Sequence, residues 1–130
     1  METICLDTSI LIAHRRAKDK SATDLFALAG RYKLAITSIT VFELWRGDNQ
    51  GEDAYWLNLS GNISVLDFDF ESAKIAGQDF LDLQKRGVPI GIEDILIVSV
   101  AKRHQLRVAT TNTAHFSRIS GLTLIDLKSI

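Results

Sequence analysis

The chain has 130 residues, 46% of them hydrophobic and 24% charged, and a formal net charge of −1. That length makes one ordinary domain that buries about two thirds of its unfolded surface, and that balance excludes an intrinsically disordered chain. A single cysteine, Cys5, excludes an intrachain disulfide framework or a cysteine-rich zinc site, and with no apolar run of membrane-spanning length and no positively charged leader the expectation is a cytoplasmic protein.

Ile4, Cys5 and Leu6 form a short apolar run that reads as a buried strand ending on Asp7. Residues 10–17 then read as a short helix, closed by the basic Arg15, Arg16, Lys18 and Lys20, where cations suit the helix dipole. Residues 21–30 carry apolar side chains at near-helical spacing and stop at Gly30. Leu34-Ala35-Ile36 is a second strand, which runs through Thr37-Ser38 into a helix over 39–46 that stops at Gly47. A turn at 48–51 and a short helix over Ala54–Leu59, anchored by Trp56, precede a third strand at Ile63–Leu66.

Residues 70–86 are the clearest amphipathic helix, with Ala73, Ala76, Gly77, Phe80 and Leu83 on one face and Gly87 as its stop. After a rigid Val88-Pro89-Ile90-Gly91 loop, a helix runs from Ile92 or Glu93 to His104. It is apolar nearly all round, so it is expected to be buried. Arg107–Thr110 is a fourth strand, residues 112–118 a further turn, and Leu122–Ile125 a fifth strand. Short apolar strands alternating with helices imply an α/β fold, a parallel sheet with helices on both faces.

Charge is unevenly spread. Residues 1–47 hold seven Lys/Arg against five Asp/Glu, residues 48–94 three against ten, and residues 95–130 five against one. The two ends of the chain can therefore form a basic surface around a locally acidic site, although an ordinary mixed-charge surface has the same composition.

Strand-to-helix junctions share one edge of a parallel sheet, and open α/β sheets place ligands there. Asp7, Glu43, Asp94 and Asn112 all fall at such junctions. Each has a purely structural alternative: an N-cap for Asp7, a capping box with Thr40 for Glu43, the acidic first turn of a helix for Asp94, a turn or cap for Asn112. Glu43 stands out, because it lies between Phe42 and Leu44 where an unpaired carboxylate is costly. Clustered carboxylates repel unless a cation joins them. All-oxygen ligands select Mg²⁺ or Mn²⁺, which can activate water and neutralise a phosphodiester in transition. His14 and His104 read as surface residues, and His115 lies nearer the site.

Taken in order, Leu6-Asp-Thr-Ser-Ile-Leu-Ile12, Ile39-Thr-Val-Phe-Glu-Leu-Trp-Arg-Gly47, Gly87-Val-Pro-Ile-Gly-Ile-Glu-Asp94 with its helix, and Val108-Ala-Thr-Thr-Asn-Thr-Ala-His-Phe116 followed by Gly121-Leu122 span the chain nearly end to end. The sequence resembles the PIN-domain ribonucleases, specifically VapC-type toxins of bacterial toxin–antitoxin pairs. The resemblance implies a single PIN domain over residues 1–130, a three-layer sandwich with a five-stranded parallel sheet. It implies Mg²⁺- or Mn²⁺-dependent endonucleolytic cleavage of RNA, tRNA or ribosomal RNA, with Asp7, Glu43 and Asp94 as the acidic core. Thr8, Ser9 and Thr110 look like hydroxyls that orient carboxylates or water. Many PIN domains carry a further acid after the fourth strand; here Asn112 and His115 stand in that region, so one firmly held metal is expected.

The resemblance also implies a cognate antitoxin and a homodimer, with Leu11, Phe26, Trp45 and Trp56 offered to an amphipathic partner segment. Arg15, Arg16, Lys18 and Lys20 are the expected phosphate contacts, with Lys102, Arg103, Arg107 and Arg118 behind them. Two alternatives compete. A catalytically silent PIN-like module would only bind protein. A Mg²⁺-binding phosphoacceptor receiver domain would use Asp67, but Asp7 has no acidic neighbour and Glu43 and Asp94 are left unexplained. An Asp-x-Asp phosphatase fails at Ser9.

Overall fold

The computed structural model describes residues 1–47 and 61–130. The expected turn at 48–51 and the helix over Ala54–Leu59 with Trp56 lie outside the described residues. β1 (Thr3–Leu6) leads to α1 (Thr8–Arg16), a 3₁₀ turn (Lys20–Ala22) and α2 (Asp24–Ala29). β2 (Lys33–Thr37) leads to α3 (Ser38–Arg46), and β3 (Ser64–Leu66) to α4 (Phe70–Arg86) and α5 (Ile92–Arg103). β4 (Val108–Ala109), α6 (Thr113–Phe116) and a second 3₁₀ turn (Leu127–Ser129) close the chain.

The strands are all parallel, in the order β3-β2-β1-β4. β1 is central: Ile4 pairs with Leu34 and Cys5 with Ala35 on one side, Cys5 with Val108 and Leu6 with Ala109 on the other. Because side chains alternate across a strand, Ile4 and Leu6 enter one apolar layer and Cys5 the other. The first layer joins them to Ile10, Leu11, Leu25, Leu28 and Leu44 from α1, α2 and α3. The second joins Cys5 and Val108 to Ala76, Leu83, Val98, Ala101 and Phe116 from α4, α5 and α6. Burial of the Cys5 thiol pushes its pKa up to about 12, so it packs as a small apolar residue. None of the described helices is long and apolar enough to cross a membrane.

The expected fifth strand is corrected: the sheet of the described residues has four strands. Residues 122–125 make only one parallel bridge, Val108 to Leu124. Val108 donates to the Thr123 carbonyl at 3.0 Å and Ile125 donates back to Val108 at 2.8 Å. The segment is cut short at both ends. Gly121 enters it at a φ of 78°, a left-handed turn that favours glycine. Asp126 then caps the terminal 3₁₀ turn.

α4 is also rotated from its expected face. Its buried positions are Ser72, Ala76, Asp79 and Leu83, while Phe80 is exposed. The cause is polar. The Asp79 carboxylate accepts from Lys102 Nζ through both oxygens at 2.9 Å, and the same ammonium donates to the Ser120 carbonyl. This pins α4 to the end of α5 and turns Ala73, Gly77 and Phe80 toward a shallow apolar groove shared with Ile92 and Leu96. Gly87 stops α4 as expected, in a left-handed conformation at φ 72°.

Candidate active site

Asp7 follows the last residue of β1 and is only 4% exposed. It occupies the N-cap position of α1, yet its side chain makes no capping bond. The carboxylate instead accepts at Oδ2 from Ser9 Oγ at 2.7 Å and from Thr110 Oγ1 at 2.8 Å. Thr110 reaches it because Asp7 N–H donates to the Ala109 carbonyl, which sets β1 and β4 level at their ends. Ser9 Oγ and Thr110 Oγ1 are in turn donated to by the backbone N–H groups of Thr111 and Asn112. Two hydroxyls, each oriented by a backbone amide, thus fix one oxygen of Asp7.

Glu43 arrives from the other neighbour of β1. The N-cap of α3 is Thr37, whose hydroxyl accepts from Thr40 N–H at 3.1 Å. That cap leaves Thr40 and Glu43 out of any capping box. Thr40 Oγ1 lies 3.0 Å from Thr8 Oγ1, and Thr8 donates to Glu43 Oε1 at 2.7 Å. A buried hydroxyl chain therefore joins the first turns of α1 and α3 and holds Glu43 against Thr8, the residue that follows Asp7. On its solvent side Glu43 Oε2 is 3.6 Å from Arg46. Arg46 also donates to Glu93 Oε1 at 3.3 Å and so spans from α3 to α5.

Asp94 lies in the first turn of α5, whose N-cap is Gly91. It has no ion-pair partner among the described residues. Its pKa is raised to about 6, first by partial burial and then by the negative charges of Asp7, Glu43 and Glu93. Asp94 on α5 therefore lies within the field of the two other acids that sequence spacing singles out, Asp7 after β1 and Glu43 on α3.

The remaining candidates divide. Thr8, Ser9 and Thr110 meet the carboxylates directly. Asn112 and His115 face each other, Nδ2 to Nδ1 at 2.9 Å, across the single turn of α6. Arg15, Arg16 and Lys18 sit at the far end of α1, roughly 13 Å along a nine-residue helix from its start. Lys20 is committed to structure: its ammonium donates to the carbonyls of His14, Arg15 and Ala17 and closes α1. Arg107 binds Glu2, Arg118 binds the Pro89 carbonyl, and Arg103 lies 3.5 Å from Asp69. Sequence reasoning gives Thr40 only a capping role and gives Arg46 none. The spacing of Glu43 and Arg46, three apart on a helix, was the available signal.

Among the described residues no three acidic, histidine or cysteine side chains are drawn tightly enough together to enclose an ion. The donors are nevertheless all oxygen, and the charge felt at Asp94 is uncompensated there. An open, acidic, all-oxygen set fits a hard divalent cation that keeps several waters, rather than a closed structural site. A polar cleft of about 610 Å³, lined by Asp24, Thr110, Thr111, Thr113, Asp126 and Lys128, adjoins it at Thr110.

Residues 4–122 match the model of the PIN domain. The chain belongs to the PIN-domain family. A tRNA(fMet)-specific endonuclease VapC from Shigella flexneri is 32% identical over 126 residues, covering 93% of this chain and 95% of the relative. Ribonuclease VapC3 of Methanocaldococcus jannaschii is 35% identical over 95 residues, covering 73% of this chain and 94% of the relative. Among solved structures, VapBC of Salmonella typhimurium, bound to DNA, matches with a TM-score of 0.82 at 30% identity, over 98% of this chain and 99% of the other. PIN membership sets aside the receiver-domain alternative, and Asp67 stands exposed beyond β3.

Proposed function

We propose that this PIN domain is a Mg²⁺- or Mn²⁺-dependent endoribonuclease toxin of the VapC type, held in check by a cognate antitoxin. The observation that carries the reading is the state of Asp7. A buried acid at a helix N-cap position leaves the helix uncapped and is instead fixed by two hydroxyls beside two further acids. Asp7, Glu43 and Asp94 would hold the ion, which when bound supplies charge neutralisation and an activated water. Ser9 and Thr110 hold the Asp7 carboxylate in one orientation, and Thr8 does the same for Glu43. Asn112 and His115 bond to each other and supply no further carboxylate, which supports one firmly held ion, with a second arriving only with substrate.

The relatives named as VapC ribonucleases support RNA as substrate, and the toxin–antitoxin assembly among the similar structures supports an antitoxin partner. Of the side chains expected to face that partner, Leu11 is buried and Trp45 packs against the core, while Phe26 is 57% exposed. Phe26 borders an apolar cavity of about 570 Å³ with His14, Leu25, Ala29, Tyr32 and Ile63. It lies at the opposite end of the sheet from the carboxylates and suits the apolar face of an antitoxin segment. The homodimer is part of the same reading, supported by the exposed Phe80, Leu81 and Ile92 on α4 and α5.

The test is Asp7→Asn, which keeps shape and removes one charge. RNA cleavage is expected to fall to background. The parent should gain about 3 kcal/mol of stability at a Mn²⁺ concentration a hundredfold above its dissociation constant, and the variant should gain almost none. Retained metal-dependent cleavage by Asp7→Asn would overturn the site. A parent that binds Mn²⁺ but cuts no RNA would leave a silent binding module.

A further inference from the structure

Phe42 is 56% exposed in the middle of α3, beside Glu43. Among the described residues this large apolar ring joins neither core layer, and it lies one residue from Glu43. The Arg46 guanidinium lies over that ring, 5.1 Å from its centroid. The same guanidinium is anchored to Glu93 at 3.3 Å and lies 3.6 Å from Glu43. Arg46 is therefore held by two acids against one face of the ring, with its own side chain half exposed. The contacts form a continuous line from ring to guanidinium to Glu43, within one nucleotide's reach of the carboxylates. Aromatic faces and arginine planes are the surfaces on which single-stranded bases stack.

We infer that Phe42 and Arg46 form a stacking platform for one unpaired base of the RNA, adjacent to the phosphate that is cut. This rests on the proposed ribonuclease activity and adds to it the two side chains that receive an unpaired base. RNA must enter as a single strand or loop with at least one base turned out, since a base inside a duplex presents no free face. Arg46 contributes twice. Its plane stacks, and its charge offsets the repulsion that Glu43 and Glu93 exert on an approaching phosphate. The site thereby admits a polyanion although its core is acidic.

Phe42→Leu tests the platform, because it keeps an apolar, helix-favouring side chain and removes only the π face. Single-turnover cleavage of an unstructured RNA oligonucleotide should slow roughly ten- to a hundredfold, the loss expected for one stacked base. Phe42→Trp should restore the rate. A second readout uses oligonucleotides with 2-aminopurine at successive positions and Ca²⁺ in place of Mg²⁺. One position flanking the cut should be quenched by the parent and by Phe42→Trp, and not by Phe42→Leu. Parent-like cleavage and quenching by Phe42→Leu would overturn the platform while leaving the nuclease intact. A loss confined to antitoxin binding or to self-association would also overturn it, and would assign Phe42 to a protein contact. If the parent cleaves no RNA at all, the proposed function falls first.

Discussion

Asp94→Asn separates two effects of opposite sign. An acid in the first turn of α5 favours the helix dipole by about 0.3–1 kcal/mol, so its removal should destabilise slightly if that is its only role. The structure argues for the larger opposing effect. Burial and the charges of Asp7, Glu43 and Glu93 raise the Asp94 pKa from 3.8 to about 6. A folded-state pKa above the unfolded one means that the protonated form is favoured by folding. That contribution is complete below about pH 4 and is lost as pH rises through 6. At 1.36 kcal/mol per unit the shift is worth about 3 kcal/mol, and screening by solvent at this partly exposed carboxylate cuts it to about 1–2 kcal/mol.

In EDTA at pH 7.5, Asp94→Asn is therefore expected to melt roughly 3–8 °C above the parent. The two curves should converge as the pH falls toward 4. Saturating Mn²⁺ should reverse the order, because the ion stabilises only the form that binds it. Differential scanning calorimetry across pH 4–8, with and without Mn²⁺, gives all three comparisons. A variant less stable than the parent at pH 7.5 in EDTA, with no convergence at low pH, would show that Asp94 serves the helix dipole alone.

Two further predictions concern charges away from the carboxylates. If the end of α1 carries RNA phosphates, the double variant Arg15→Ala/Arg16→Ala should flatten the plot of log affinity against log salt by about 0.7 per lost contact; an unchanged slope in RNA-binding titrations would place the RNA elsewhere. Asp79→Ala strands the half-buried Lys102 ammonium and should cost about 2–4 kcal/mol in urea unfolding, with cleavage per folded molecule unchanged, and a change below about 0.5 kcal/mol would show that the Ser120 carbonyl alone satisfies Lys102.

Much of the architecture was legible because local pattern and tertiary demand agree. β1 is apolar at every buried position, and α5 is apolar all round because both its flanks are covered. Where one tertiary partner decides, the pattern misleads. The apolar count on α4 favours Ala73, Gly77 and Phe80, but a single ion pair between Asp79 and Lys102 turns the helix by part of a turn. The segment 122–125, apolar except for Thr123, matches a strand, yet the turn at Gly121 and the cap at Asp126 leave room for one bridge. Lys20 carries the same charge as its neighbours. Its use as a helix cap is decided by the chain turning back at Asp19, which spacing along α1 does not encode. Phe42 was read only as a neighbour of Glu43, because exposure cannot be inferred inside an apolar helix.

The support given to the three acids is graded, and the grading bears on how such a site works. Asp7 is held by two hydroxyls that are themselves held by backbone amides. Glu43 is held by one hydroxyl on its inner oxygen and has a half-exposed cation, Arg46, near its outer one. Asp94 has neither, and carries the raised pKa. The negative charges of Asp7, Glu43 and Glu93 thus bear on the least restrained of the three. A rigid cage of three ionised acids would pay its full repulsion in the metal-free state on every side chain. If the three acids hold the ion as proposed, two of them are preset by hydroxyls, and Asp94 can take up a proton in the metal-free state. On the proposed function, metal binding should release a proton from Asp94, so Mn²⁺ affinity measured by calorimetric titration is expected to rise with pH between about 5 and 7, and a flat profile would remove Asp94 from the ligand set.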